Sequence, residues 1–270
     1  MGNDLSDILN GLANGRVIPY LGPGLLAEAG ATVPSDLPAL AETLSNQVTV
    51  PHRIRRNLTA AAQYIENFKH RKTLKDLLDK TFSVETPVHP LLLDLAAMHL
   101  PLIVHLWYDD SMARALAGQA SWGRIQGLSQ SEHFGHWTGC YQADGQEADA
   151  AAAEQWRTVL YEPWGSLRPA GNYLASDSDF VEVLTEIDIQ TPIPAIVQEL
   201  RRDRQFLFIG CRFNDQLQRS FARQIMKRSS DHHWALIDAP LSRNEERFLR
   251  EQNILPLSLP ITEFAGRLAA

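Results

Sequence analysis

The sequence predicts an α/β fold, an open, doubly wound, mostly parallel sheet with helices on both faces. Three observations predict it. Short apolar runs at 17–21, 101–108, 205–209 and 234–237 have the length of buried strands. Segments of helical period separate them, as parallel strands require. Glycine or acidic tips follow the runs, at Gly22, Asp109, Gly210 and Asp238. In such sheets ligands bind outside the carboxyl ends of the strands, and all four tips fall there.

Residues 4–14 open the chain as a helix with an apolar stripe of Leu5, Ile8, Leu9 and Leu12, stopped by Gly15. After the strand at 17–21, Gly22-Pro23-Gly24 turns the chain into a short helix that Gly30 and Pro34 break. A strand, a glycine turn and a helix start form an anion cradle, because the first helical N–H groups have no partner within the helix. Ser35 or Asp36 caps the next helix, which carries Leu37, Leu40, Ala41 and Leu44. Residues 57–81 read as helix in two pieces, with the basic stretch 69–72 between them as a solvated face. A further helix starts at His89-Pro90, where proline is tolerated in the first turn.

The strand at 101–108 ends at Asp109-Asp110, and 111–116 resumes helix. Residues 122–139 show no clean period, and 143–155 reads as a flexible excursion. A strand at 157–161, a turn-rich loop at 162–169 and helices from 178 and 192 follow. The clearest late strand, 205–209, passes through Gly210 to a helix over 216–227 that Asp215 can cap. The strand at 234–237, a helix at 242–250 and an edge strand at 254–257 complete the pattern. The expected organisation is one domain over 1–270, with a helical section at 36–100 and an irregular excursion at 117–155.

A 270-residue chain that is 44% hydrophobic supports a sizeable core. Its net charge of -7 argues against a nonspecific nucleic-acid binder. Two cysteines, Cys140 and Cys211, make no disulfide framework. No apolar run is long enough to span a membrane, and no basic-then-apolar leader opens the chain. The expected compartment is therefore the cytoplasm. His133, His136 and Cys140 have a spacing that can place two imidazoles and a thiolate on zinc, but no metal is expected. Trp107, Trp122, Trp137, Trp156 and Trp164 crowd one stretch, as core, as a self-association surface or as a filled pocket.

Four segments give the chain a family resemblance: Val17-Ile18-Pro19-Tyr20-Leu21-Gly22-Pro23-Gly24, Val104-His105-Leu106-Trp107-Tyr108-Asp109, Tyr161-Glu162-Pro163-Trp164-Gly165 and Phe206-Leu207-Phe208-Ile209-Gly210-Cys211-Arg212-Phe213-Asn214-Asp215. Over roughly residues 15–240 it resembles the SIR2-like family of sirtuin-related NAD-binding domains. The resemblance implies a Rossmann-type sheet and an NAD- or ADP-ribose-like ligand. It implies cofactor contacts at Gly22, Pro23, Gly24, Trp107, Trp164, Gly210, Cys211 and Arg212. Asp238, at the carboxyl end of its strand, is placed either to hold a ribose hydroxyl, as acidic residues do in other dinucleotide folds, or to cap the turn before Pro240.

The departures are chemical. Trp107 stands where the family carries an asparagine, and Trp164 where it carries a histidine. An indole N–H only donates and has no useful pKa. Two functions follow. One is a catalytically degenerate domain serving as a nucleotide-binding or protein-interaction module. The other is an NAD glycohydrolase using His105 or Glu162 as base and Asp109 to orient substrate. Deacylation is disfavoured, because the paired cysteines of the sirtuin zinc module are missing. Expected partners are a small nucleotide and a second copy or another protein, not nucleic acid or a membrane.

Overall fold

The computed structural model describes residues 2–133, 135–189 and 192–269. Met1 and Ala270, the ends of the expected domain, lie outside the described residues. The first third holds α1 (Gly2–Ala13), β1 (Val17–Leu21), α2 (Gly24–Glu28), α3 (Leu37–Gln47), α4 (Leu58–Phe82) and α5 (Pro90–Ala97). The middle holds β2 (Leu102–His105), α6 (Ser111–Leu116), β3 (Trp122–Gly127), β4 (Thr138–Gln142), β5 (Glu147–Ala148), α7 (Ala150–Ala153), β6 (Thr158–Glu162), β7 (Gly165–Ser166) and β8 (Asn172–Tyr173). The last third holds α8 (Asp177–Ile189), α9 (Ala195–Leu200), β9 (Gln205–Ile209), α10 (Gln216–Met226), β10 (His233–Leu236), α11 (Arg243–Glu251), β11 (Ile254–Leu257) and α12 (Ile261–Leu268).

The main sheet has the order β11-β10-β9-β1-β2-β6-β3-β4-β5. From β11 through β3 every pairing is parallel, and β4 and β5 add an antiparallel edge. This is a mostly parallel, Rossmann-like sheet. Helices cover both faces: α3, α4, α8, α10 and α11 on one, α1, α5, α6 and α12 on the other. The central strands are buried throughout, which explains their unbroken apolar composition. From β1 the chain moves to β2 on one side, then returns to β9 on the other. The switch point of the sheet therefore lies between β1 and β9, where their carboxyl-end loops meet.

Two expectations change. The irregular excursion at 117–155 is instead three strands of the main sheet and a short helix. β3 reads Trp-Gly-Arg-Ile-Gln-Gly, and its period is masked because both sheet faces bury unusual residues. Arg124 and Gln126 are buried against Glu162. Gly123 and Gly127 leave room for the Trp156 ring and the Pro163 carbonyl, which a Cβ would meet at 2.3 and 2.1 Å.

The basic stretch 69–72 is not simply solvated. His70 leaves helical space at φ 72, and the kink lets Arg71 reach the body of the protein. There Arg71 donates to Asp179 Oδ2 at 2.8 Å and to the Tyr173 carbonyl at 2.5 Å. Asp179 in turn accepts from the Ala175 and Ser176 N–H groups, so this pair ties α4 to the start of α8.

Candidate functional site

The loops after β1 and β9 lie against each other. The Gly22 N–H donates to the Ile209 carbonyl at 2.8 Å, and the Gly24 N–H to the Gly210 carbonyl at 2.9 Å. Pro23 has no N–H to offer. The loop predicted to cradle an anion thus commits its donors to its neighbour. The glycines are required by the same approach. A Cβ on Gly22 would stand 2.6 Å from the Gly210 oxygen, and one on Gly24 2.8 Å from it. Gly210 itself has φ +67, and its Cβ would stand 2.7 Å from the Leu25 nitrogen. Gly210→Ala is expected to cost about 3 kcal/mol, from the left-handed backbone and the overlap together. Urea unfolding checks it, and wild-type stability in that variant would refute it.

In front of the paired loops is a cleft of about 800 Å³, within the range of small-molecule sites. Pro23, Gly24, Gly210 and Arg212 form one wall. The starts of α3, α4, α8 and α10 form the rest, through Asp36, Leu37, Asn57, Leu58, Asp177, Asp215 and Gln216. All four of these helices carry side-chain caps, and at α8 the cap is Ser176, whose Oγ accepts from the Asp179 N–H at 3.3 Å. Asp36 accepts from Ala39 N–H at 2.7 Å, Asn57 from Ala60 N–H at 3.1 Å and Asp215 from Leu217 N–H at 2.7 Å.

Arg212 is held from behind. Its Nε and Nη2 donate to the two Glu245 oxygens at 2.8 and 3.0 Å. The Ser242 N–H and hydroxyl also donate to Glu245 Oε2, at 2.9 and 2.8 Å, in a capping box that opens α11. Burial would raise the Glu245 carboxyl, but the hydrogen bond from Arg212 and those from Ser242 hold it down at about 2. The carboxyl is therefore harder to protonate in the folded chain than at its ordinary 4.5. Its contribution is full above that ordinary value and drains away as the pH falls toward 2. Glu245→Gln is expected to destabilise by about 2 kcal/mol at neutral pH and by much less near pH 2. Unfolding curves across that range check this, and a difference that grows on acidification would refute it.

The floor of the cleft is aromatic. Phe180 lines it and meets Trp164 edge-on, with centroids 5.4 Å apart. Trp107 lies 6.3 Å beyond Trp164, with Tyr108 against both. Trp107 and Trp164 are both fully buried. The Trp107 indole N–H donates to the Pro34 carbonyl at 3.0 Å, while Trp164 Nε1 has no hydrogen-bond partner among the described residues. The other tryptophans of the crowded stretch separate from this pair. Trp122 packs on the opposite face of the sheet, Trp137 beside Gly127, and Trp156 over Gly123.

The proposed catalytic side chains form a different cluster. His105 Nε2 lies 3.4 Å from Asp109 Oδ1, and both side chains are buried. Burial pulls the imidazole pKa down, but Asp109, helped by Glu162, more than reverses this and leaves it raised. For Asp109 burial acts upward, and His105 and Ser111 overcome it to lower the pKa. Glu162 accepts from Arg124 Nε and Nη2 at 2.9 and 2.7 Å, and from Gln126 Nε2 at 2.7 Å. None of His105, Asp109 and Glu162 lines the cleft.

Of the predicted cofactor residues, Pro23, Gly24, Gly210 and Arg212 come together on the cleft wall. Gly22 and Cys211 stand behind it. The Cys211 thiol is turned toward the Tyr20 carbonyl at 3.5 Å, and burial pushes its pKa up. Asp238 is exposed past β10 and does not line the cleft. Among the described residues no three of His, Cys, Asp and Glu are grouped to hold a metal ion. His133 and His136 are exposed ahead of β4, which carries Cys140. Sequence reasoning missed Asn57, Asp177 and Glu245. The Ser242-x-x-Glu245 spacing signals the capping box that places Glu245.

A family model described as a SIR2-like domain matches residues 101–257, more than half of the chain. The chain belongs to the SIR2-like family. The match takes in β2 through β11, including the Trp107 and Trp164 segments and the Gly210 loop of this SIR2-like domain. No curated protein matches the chain. Among the described residues no helix is long and apolar enough to cross a membrane.

Proposed function

We propose that this SIR2-like domain is a catalytically silent module that holds an NAD- or ADP-ribose-like nucleotide in the cleft beside Gly24 and Gly210. One observation carries the proposal. The cleft at the sheet's switch point is open, while the two positions that resemble the family's asparagine and histidine are Trp107 and Trp164, buried beneath its floor. A buried indole neither activates water nor shuttles a proton. The glycine loop has no spare N–H for a pyrophosphate, so the ligand is held by its nucleoside end, against the starts of α3, α4, α8 and α10.

Calorimetric titration of the purified chain with ADP-ribose and NAD, beside an assay for released nicotinamide, tests the proposal. Saturable binding with release at background is the expected result. Release well above background overturns the silence, and failure of both ligands to bind at millimolar concentration overturns the nucleotide. The pairing of His105 with Asp109, 3.4 Å apart, favours a second proposal, an NAD glycohydrolase with His105 as base. That reaction needs the 105–109 segment to open, because His105 and Asp109 are buried against each other.

A further inference from the structure

We infer that α4 is a latched hinge: its kink at His70, held by Arg71 on Asp179, keeps the cleft wall drawn in, and a straightened α4 opens it. The inference rests on the cleft as a binding site, not on which ligand fills it. Residues 58–82 hold neither proline nor glycine and are rich in helix formers, so local sequence favours one unbroken helix. Only His70 departs from helical space, at φ 72 and ψ 153. That backbone conformation is close to glycine-only, and such strain persists only where the surroundings impose it. His70 is itself exposed, so the restraint comes from its neighbours.

The restraint is Arg71, which reaches Asp179 Oδ2 and the Tyr173 carbonyl from just behind the kink. Ahead of the kink, Gln63 Oε1 accepts from the Ser178 N–H at 2.8 Å. The start of α8 is thus tied to both pieces of α4, and this fixes the angle between them. The piece behind the kink is anchored. The Tyr173 hydroxyl donates to Asp79 at 2.6 Å, and Phe82 meets the Trp107 and Tyr108 rings. The piece ahead carries Leu58 and Thr59 on the cleft wall, with Asp177 and Phe180 of α8 on the same cleft. A change of angle at His70 therefore moves the wall. The latch can let go without orphaning its carboxylate, because Asp179 keeps the Ala175 and Ser176 N–H groups and the Ser129 hydroxyl. Arg71 is incompletely satisfied where it lies, since its buried Nε has no hydrogen-bond partner among the described residues. A ligand that touches the starts of both α4 and α8 favours the latched arrangement.

Paired spin labels at Ala60→Cys and Asp76→Cys, in a Cys140→Ser background, read the angle in the ligand-free chain. Cys211 is buried and stays unlabelled. An unbroken helix separates the two positions by about 24 Å. With Arg71 in place a clearly shorter distance is expected, and Arg71→Met is expected to lengthen it to that value. Folded Arg71→Met that keeps the shorter distance overturns the hinge. His70→Gly tests the strain by its sign and needs no label. Glycine at an ordinary helical position lowers the Tm, whereas here it is expected to raise it by roughly 2–4 °C, because glycine takes this backbone freely. A lowered Tm overturns the inference, even where Arg71→Met does not fold. Neither readout uses a nucleotide, so failure here and failure of the nucleotide proposal are told apart.

Discussion

Replacing Glu162 with glutamine is expected to lower stability by about 3–5 kcal/mol and the Tm by roughly 10 °C. The cause is the Arg124 guanidinium, which cannot shed its proton and stays buried after its carboxylate is gone. Arg124 holds Glu162 through two parallel N–H bonds, and Gln126 adds a third donor. Losing one partner of such a pair costs more than losing both. The double variant Arg124→Met/Glu162→Leu, apolar on both sides, is expected to recover most of the loss. Thermal unfolding of the three proteins checks this, and an unchanged Tm in Glu162→Gln refutes it. The result also governs any activity measurement. A loss of activity in a Glu162 variant reports chemistry only in protein shown to be folded.

The parts of the fold that rest on uninterrupted apolar burial were legible in the sequence. β1, β2 and β9 are buried on both faces, so composition alone marks them. The Gly22 and Gly210 turns were legible too, and their meeting followed from the sheet they belong to. Their chemistry was not. A glycine that lets a ligand approach and a glycine that lets a neighbouring carbonyl approach have the same sequence, and here the neighbour is the Gly210 carbonyl. β3 was hidden because its buried Arg124 and Gln126 find their partners on other segments, above all Glu162 on β6. Arg71 was misread because the kink at His70 that turns it inward has no proline or glycine to announce it. The cleft draws Asp36, Asn57, Asp177 and Asp215 from four helix starts. Each is a local capping or first-turn signal, and nothing local says that the four converge.

Trp164→Ala is expected to destabilise by about 3–5 kcal/mol, the range for deleting a large buried aromatic side chain. Trp164 has aromatic neighbours on several sides, Trp107, Tyr108, Phe180 and Phe221, with ring centroids 5.4–6.3 Å away. Rings held by β2, α8 and α10 and their loops cannot all collapse into the space left behind. Trp164→Phe separates packing from polarity. It gives up part of the ring volume, but it also removes an indole N–H that is buried without a partner, itself a cost of about 1–3 kcal/mol. The phenylalanine variant is therefore expected to stay within about 1 kcal/mol of wild type. The same pair bears on function. The alanine variant opens an apolar void beneath Phe180, and a void supplies neither a base nor a fixed dipole for a cationic ribosyl transition state. Nicotinamide release is thus expected to remain at background in both variants. Release that appears only in Trp164→Ala would mean that the indole blocks a competent site, and the proposed silence would then rest on occlusion rather than on missing chemistry.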